Sequence, residues 1–135
     1  MSVRSLCLAL CLLFAATLAA STQEKMVVTT LLKTTTTAGG QKIVFPASNT
    51  EVTALIVDLP GGIDTGWHEH PYPRYGYVIS GAVTVENESG APQTYRAGEF
   101  VVEQIGVFHH GTTTAPTQLL VIDQNDAGKG NQINR

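Results

Sequence analysis

Frequent breaks by glycine and proline constrain this chain most. From Met26 onward, no apolar run lasts long enough to become a long helix. "MVVTTLLKTTTT" (Met26 to Thr37) is halted by Gly39-Gly40, "KIVF" by Pro46, and "EVTALIVDL" by Pro60-Gly61-Gly62. "YGYVISG" and "AVTVE" flank Gly81, "NESGAP" reads as a hairpin loop, "QTYRAGEFVVEQIG" turns at Ala97-Gly98, and "TQLLVID" is the last clear run. The runs are rich in β-branched residues, which fit a pleated, half-buried surface. About ten short strands at roughly eight-to-twelve-residue spacing are the pattern of a sandwich or barrel. The fold class is therefore all-β. Met26–Thr37 is expected as an extended edge strand, and residues 125–135 as a polar flexible tail.

The first twenty residues read differently. Arg4 precedes an apolar run, Leu6 to Ala20, that ends in small residues. It is too short to span a bilayer comfortably and fits a secretory signal peptide over residues 1–20, with a periplasmic or secreted product. Cys7 and Cys11 both lie within it, so the mature chain would hold itself together by burial alone, without disulfides. The 135 residues suit one domain, placed at 26–124. A net charge of −3 offers no basic patch for nucleic acid, and no membrane partner is expected after signal cleavage.

The four histidines fall into two pairs, His68 with His70 and His109 with His110. Residues two apart on a strand share a face, so His68 and His70 point together while Glu69 points away. A third imidazole from a neighbouring strand completes a trio with open positions, the arrangement of a catalytic metal site. His110, next to His109, should face the opposite way and serve no ligand role.

The glycines around these histidines carry a resemblance to the cupin family. Gly62, His68, His70 and Gly81 occupy the places of its first motif, with Tyr77-Val78-Ile79 as the strand before the last glycine. Gly98, Gly106 and His109 fit the second motif, and the 16 residues from Ala82 to Ala97 between them are as short as in compact bacterial cupins. The resemblance implies a single double-stranded β-helix, a jelly-roll barrel. It implies an internal divalent transition metal (iron, manganese, nickel, zinc or copper) on His68, His70 and His109. It also implies a small-molecule ligand and, by analogy, a homodimer. Dioxygenases, isomerases and decarboxylases occur among small cupins.

Three positions depart from the pattern: Arg74, Gln104 and Thr113 stand where the family has Glu, Pro and Asn. The first changes the chemistry, because that glutamate is usually a ligand. Glu103 is the expected substitute, as metal ligand or as base. Arg74 has three readings: a pair with Glu103, a clamp on an anionic substrate, or an outward, solvated side chain. Tyr75 replaces the glutamate only if the spacing slips by one. Trp67, Tyr72, Tyr75, Tyr77 and Phe108 are candidates for an apolar substrate pocket, four of them (Trp67, Tyr75, Tyr77, Phe108) with preference. The expected function is a metal-dependent enzyme on a small organic substrate, of oxygenase or isomerase type. The alternatives are a non-catalytic metal- or ligand-binding module and a barrel with a decayed site, against which the intact trio argues.

Overall fold

The computed structural model describes residues 26–46, 49–88 and 90–135. The expected signal peptide lies outside the described residues, among which no helix is long and apolar enough to cross a membrane. Among the described residues nine strands form: β1 (Thr50–Leu59), β2 (His68–Glu69), β3 (Arg74–Ser80), β4 (Ala82–Asn87), β5 (Gln93–Arg96), β6 (Phe100–Val102), β7 (His109–Thr112), β8 (Thr117–Asp126) and β9 (Ile133–Asn134). They make two antiparallel sheets, ordered β1-β8-β3-β6 and β5-β4-β7-β2-β9. The all-β expectation holds.

The pleat decides what enters the interior, because successive side chains point to opposite faces. On β8, Thr117, Val121, Asp123 and Asn125 are buried on one face. On β3, Gly76 and Val78 are buried, while Tyr75 and Tyr77 take the other face. The fully apolar core is small, with Val78, Val83, Val102 and Val121 buried, since the space between the sheets is a cavity rather than solid packing.

Gly81 makes the β3–β4 corner possible. Its φ is +78°, and an added Cβ would lie 2.5 Å from Thr117 Oγ1 and 2.6 Å from the Pro116 carbonyl oxygen. The same Thr117 hydroxyl donates to the Ala82 carbonyl at 2.9 Å and accepts from the Ala82 N–H at 3.1 Å, fixing the corner. Gly62 has φ +80° but open space around it. Gly81→Ala should therefore destabilise by about 2–4 kcal/mol, from left-handed backbone strain plus overpacking, and Gly62→Ala by about 1 kcal/mol from strain alone. Urea unfolding of the two variants measures the difference, and equal losses would contradict the packing account.

Two expectations need correction. Met26–Thr37 is not an edge strand: the segment makes only an isolated bridge, Thr36 to Lys42, and Met26, Val27 and Val28 are 80–86% exposed. Strand propensity is realised only in a ladder with a neighbouring strand, and among the described residues Met26–Thr37 is in none. "KIVF" likewise forms no ladder, with Ile43 N–H bonded to the Thr35 carbonyl at 3.1 Å across the Gly39-Gly40 turn. The C-terminal residues expected to form a loose tail are pinned instead. β9 pairs with β2, whose edge would otherwise be open, and Asn131 is buried.

Candidate metal centre

β2 and β7 lie side by side with His68 opposite His109, and His70 follows where the chain bridges to Ile105. All three side chains are buried, His70 completely. Each Nδ1 donates to a backbone carbonyl: His68 to Gly66 at 2.8 Å, His70 to Asn131 at 2.5 Å, His109 to Val107 at 2.9 Å. A carbonyl oxygen only accepts, so each Nδ1 carries the hydrogen. In the neutral rings each Nε2 is then a bare lone pair. The ligand atoms of the three rings lie within 4.8 Å of one another. Backbone acceptors of this kind fix ring tautomer and orientation at metal sites.

Glu103, just beyond β6, completes the cluster. Its Oε2 is 3.1 Å from both His70 Nε2 and His109 Nε2. Lone pairs on the His70 and His109 nitrogens facing a carboxylate oxygen repel unless a proton or a cation lies among them. This donor set (three imidazole nitrogens and one carboxylate oxygen) suits a divalent transition ion, and its chemistry does not choose among metals. Burial would push the Glu103 carboxyl up, but where protons rather than a cation lie between it and the rings, hydrogen bonds from His109 and His70 hold it well below the usual carboxylate range. Burial also depresses His109, yet its bond to Glu103 outweighs this and raises it. His68, without that contact, is lowered by burial.

Arg74 faces the interior, so the solvated reading is wrong, but it does not pair with Glu103. Its Nε and Nη2 grip Asp123 Oδ1 and Oδ2 at 2.7 and 2.8 Å. Asp123 sits opposite Arg74 in the β3–β8 ladder, and Glu103 flanks it on the β6 side, its N–H bonded to the Arg74 carbonyl at 2.9 Å; the Glu103 carboxylate faces two imidazoles instead, which leaves the guanidinium to Asp123. Arg74 Nη1 reaches to 3.3 Å from His70 Nε2. Tyr75, on the opposite face, bonds Gln124 through its hydroxyl and does not stand in for the missing glutamate.

The site opens into a cavity of about 350 Å³ walled by Leu55, Val57, Val78, Val83, Leu119 and Val121. Trp67, Tyr75, Tyr77 and Phe108 do not line it, which corrects the expected pocket. Tyr75 and Tyr77 alternate with inward Arg74, Gly76 and Val78 and so must point out. Trp67 stacks on His110 at 4.5 Å, and Phe108 lies under the Arg135 guanidinium at 4.6 Å. Tyr72 bonds Asp126 at 3.2 Å. Tyr95 is the aromatic side chain in the wall. His110 bonds Asp64 at 3.0 Å, away from the trio. Sequence reading missed Asp123 and Asn131. Asp123 left a signal, an acid in phase with Leu119 and Val121; Asn131 orients His70 through its backbone carbonyl and braces Asp123 through its side chain, and its polar, Gly-rich surroundings left no pattern to mark it.

Two antiparallel sheets around a cavity, with three imidazoles gathered inside, define a jelly-roll barrel with a candidate metal site. A family model described as a cupin domain matches residues 54–123, just over half of the chain. The chain belongs to the cupin family. Among solved structures, the DMSP lyase DddQ of Ruegeria pomeroyi DSS-3 is similar with a TM-score of 0.56 and 23% identity, covering 62% of this chain. The chain spans less than half of that lyase, 42%. Oxalate decarboxylase of Lactobacillus farciminis gives 0.53 and 22%, covering 62% of this chain and 26% of its own. A Neisseria meningitidis protein gives 0.50 and 24%, covering 61% and 89%. These likenesses establish the fold. None of the curated proteins matches this chain.

Proposed function

We propose that this cupin is a metal-dependent enzyme acting on a small organic substrate, of oxygenase or isomerase type, in the periplasm or outside the cell. The observation that carries the reading is the shared orientation of the trio. Three Nδ1–H groups tied to backbone carbonyls leave three Nε2 atoms converging beside Glu103. His68, His70 and His109 would hold the ion, and Glu103 would add a fourth oxygen donor or act as a base. A bound divalent ion would supply Lewis acidity toward the substrate. The cavity beside the site is walled largely by aliphatic side chains, and Glu103 stands beside the histidine nitrogens, where its carboxylate oxygen could donate to the ion or take a substrate proton. A lyase and a decarboxylase share the fold, in keeping with small-molecule chemistry. The placement outside the cytoplasm is supported by the Leu6–Ala20 run alone, and intact mass of the exported protein tests it.

The test is turnover. Metal-loaded protein is offered phenolic and enolic compounds while oxygen consumption and product NMR are followed. We expect turnover that falls at least a hundredfold in His109→Ala. Equal turnover in that variant would remove the trio from the chemistry. Stoichiometric metal without turnover of any compound would favour a non-catalytic binding module.

A further inference from the structure

Arg74 is held from behind and offers one nitrogen forward. Asp123 occupies Nε and Nη2, and Asn131 Nδ2 donates to Asp123 Oδ1 at 2.8 Å, so the carboxylate is itself fixed. Nη1 is the guanidinium nitrogen that Asp123 does not take. It lies 3.3 Å from His70 Nε2, the atom that faces the shared centre. No other Lys or Arg lines the cavity among the described residues. With a divalent ion on the trio, Glu103 and Asp123 would contribute two negative charges and Arg74 one positive. The site would then carry one net positive charge, enclosed by low-dielectric walls. A monoanion neutralises it; a neutral ligand does not. Beyond this charged end the walls are aliphatic and the volume, about 350 Å³, admits a short chain.

Building on the metal-dependent reading above, we propose that the ligand class is a small monocarboxylate with an apolar tail. Its carboxylate lies between the metal centre and Arg74 Nη1, and its tail lies among Val57, Val78, Val83 and Leu119. Asp123 is a positioning residue: by holding two guanidinium nitrogens it aims the third. A planar fork can divide its donors in this way, whereas a lysine ammonium spent on Asp123 leaves no directed donor for the ligand.

The experiment uses purified protein loaded with Co²⁺, its metal content measured first. Hexanoate and hexanol are titrated, followed by the visible Co²⁺ spectrum and by calorimetry. A charge-assisted hydrogen bond in a buried site corresponds to tenfold or more in affinity. Hexanoate should therefore bind wild type at least tenfold more tightly than hexanol. Arg74→Lys, and the double variant Arg74→Gln/Asp123→Asn that removes the pair without stranding a charge, should keep one Co²⁺ and lose hexanoate affinity at least tenfold. Wild-type affinity in either variant, or no preference for hexanoate over hexanol, overturns the proposal. A wild type that takes up no Co²⁺ overturns it together with the metal reading, and the metal content distinguishes the two failures.

Discussion

Replacing His70 by alanine is expected to abolish tight binding of a divalent transition metal, and with it the thermal stabilisation that the metal gives. His70 is the most buried of the trio, 0% exposed, and its ring is fixed by the Asn131 carbonyl. A ligand present at a thousandfold its dissociation constant stabilises the folded state by about 4 kcal/mol. In a domain of roughly 100 residues that raises Tm on the order of 20 °C. In His70→Ala the same metal concentration should raise Tm by no more than a few degrees. Truncating a fully buried side chain also destabilises the metal-free protein, by about 2–5 kcal/mol, so each variant is compared with itself, with and without metal. His110→Ala is the control. It alters a histidine that bonds Asp64 and stacks on Trp67, outside the trio, and should respond to metal as wild type does. A metal-induced shift in His70→Ala equal to that of wild type would remove His70 from the site.

The fold class and the His68–His70 pair were legible because both follow from local spacing, while His109 as the third member rested on the resemblance to the second cupin motif. Glycine and proline set strand lengths, and an i, i+2 pair of histidines shares a face on any strand. Parity put Glu103 on one face with Glu99 and Val101, the resemblance to cupins made its position an interior one, and the structure brings it to His70 and His109. The aromatic pocket failed although the same rule was at hand. If Arg74 points inward, Tyr75 and Tyr77 cannot both do so. The supposed Arg74–Glu103 pair failed because its real partner lies 49 residues away on β8, and strand order is a property of the whole chain. The tail was the least legible part. Its sequence is polar and Gly-rich, yet the Asn131 carbonyl orients a ring that heads the candidate site. A backbone acceptor has no side-chain signature. Met26–Thr37 shows the converse, a strong β pattern without a neighbouring strand to pair with.

Removing either member of the Arg74–Asp123 pair should destabilise the protein by about 3–5 kcal/mol, and removing both should undo most of that loss. The two side chains are only 14% and 8% exposed. A charge left there without its partner has little water to turn to, and that penalty, rather than the lost attraction, dominates the single variants. Arg74→Met strands the Asp123 carboxylate, and Asp123→Leu strands the guanidinium. In Arg74→Met/Asp123→Leu no charge is stranded. What remains is Asn131 Nδ2, which loses its 2.8 Å bond to Asp123 and keeps only a long contact of 3.4 Å to the Pro73 carbonyl. One weakened hydrogen bond costs about 1 kcal/mol, so the double variant should lie near that value below wild type. The double-mutant cycle, read from urea unfolding, should therefore give a coupling of several kcal/mol, far outside the additivity of independent sites. Additive losses would mean that Arg74 and Asp123 are held separately by their surroundings. The direction in which Arg74 Nη1 points would then be set by the β3 backbone and the His70 ring, and not by Asp123.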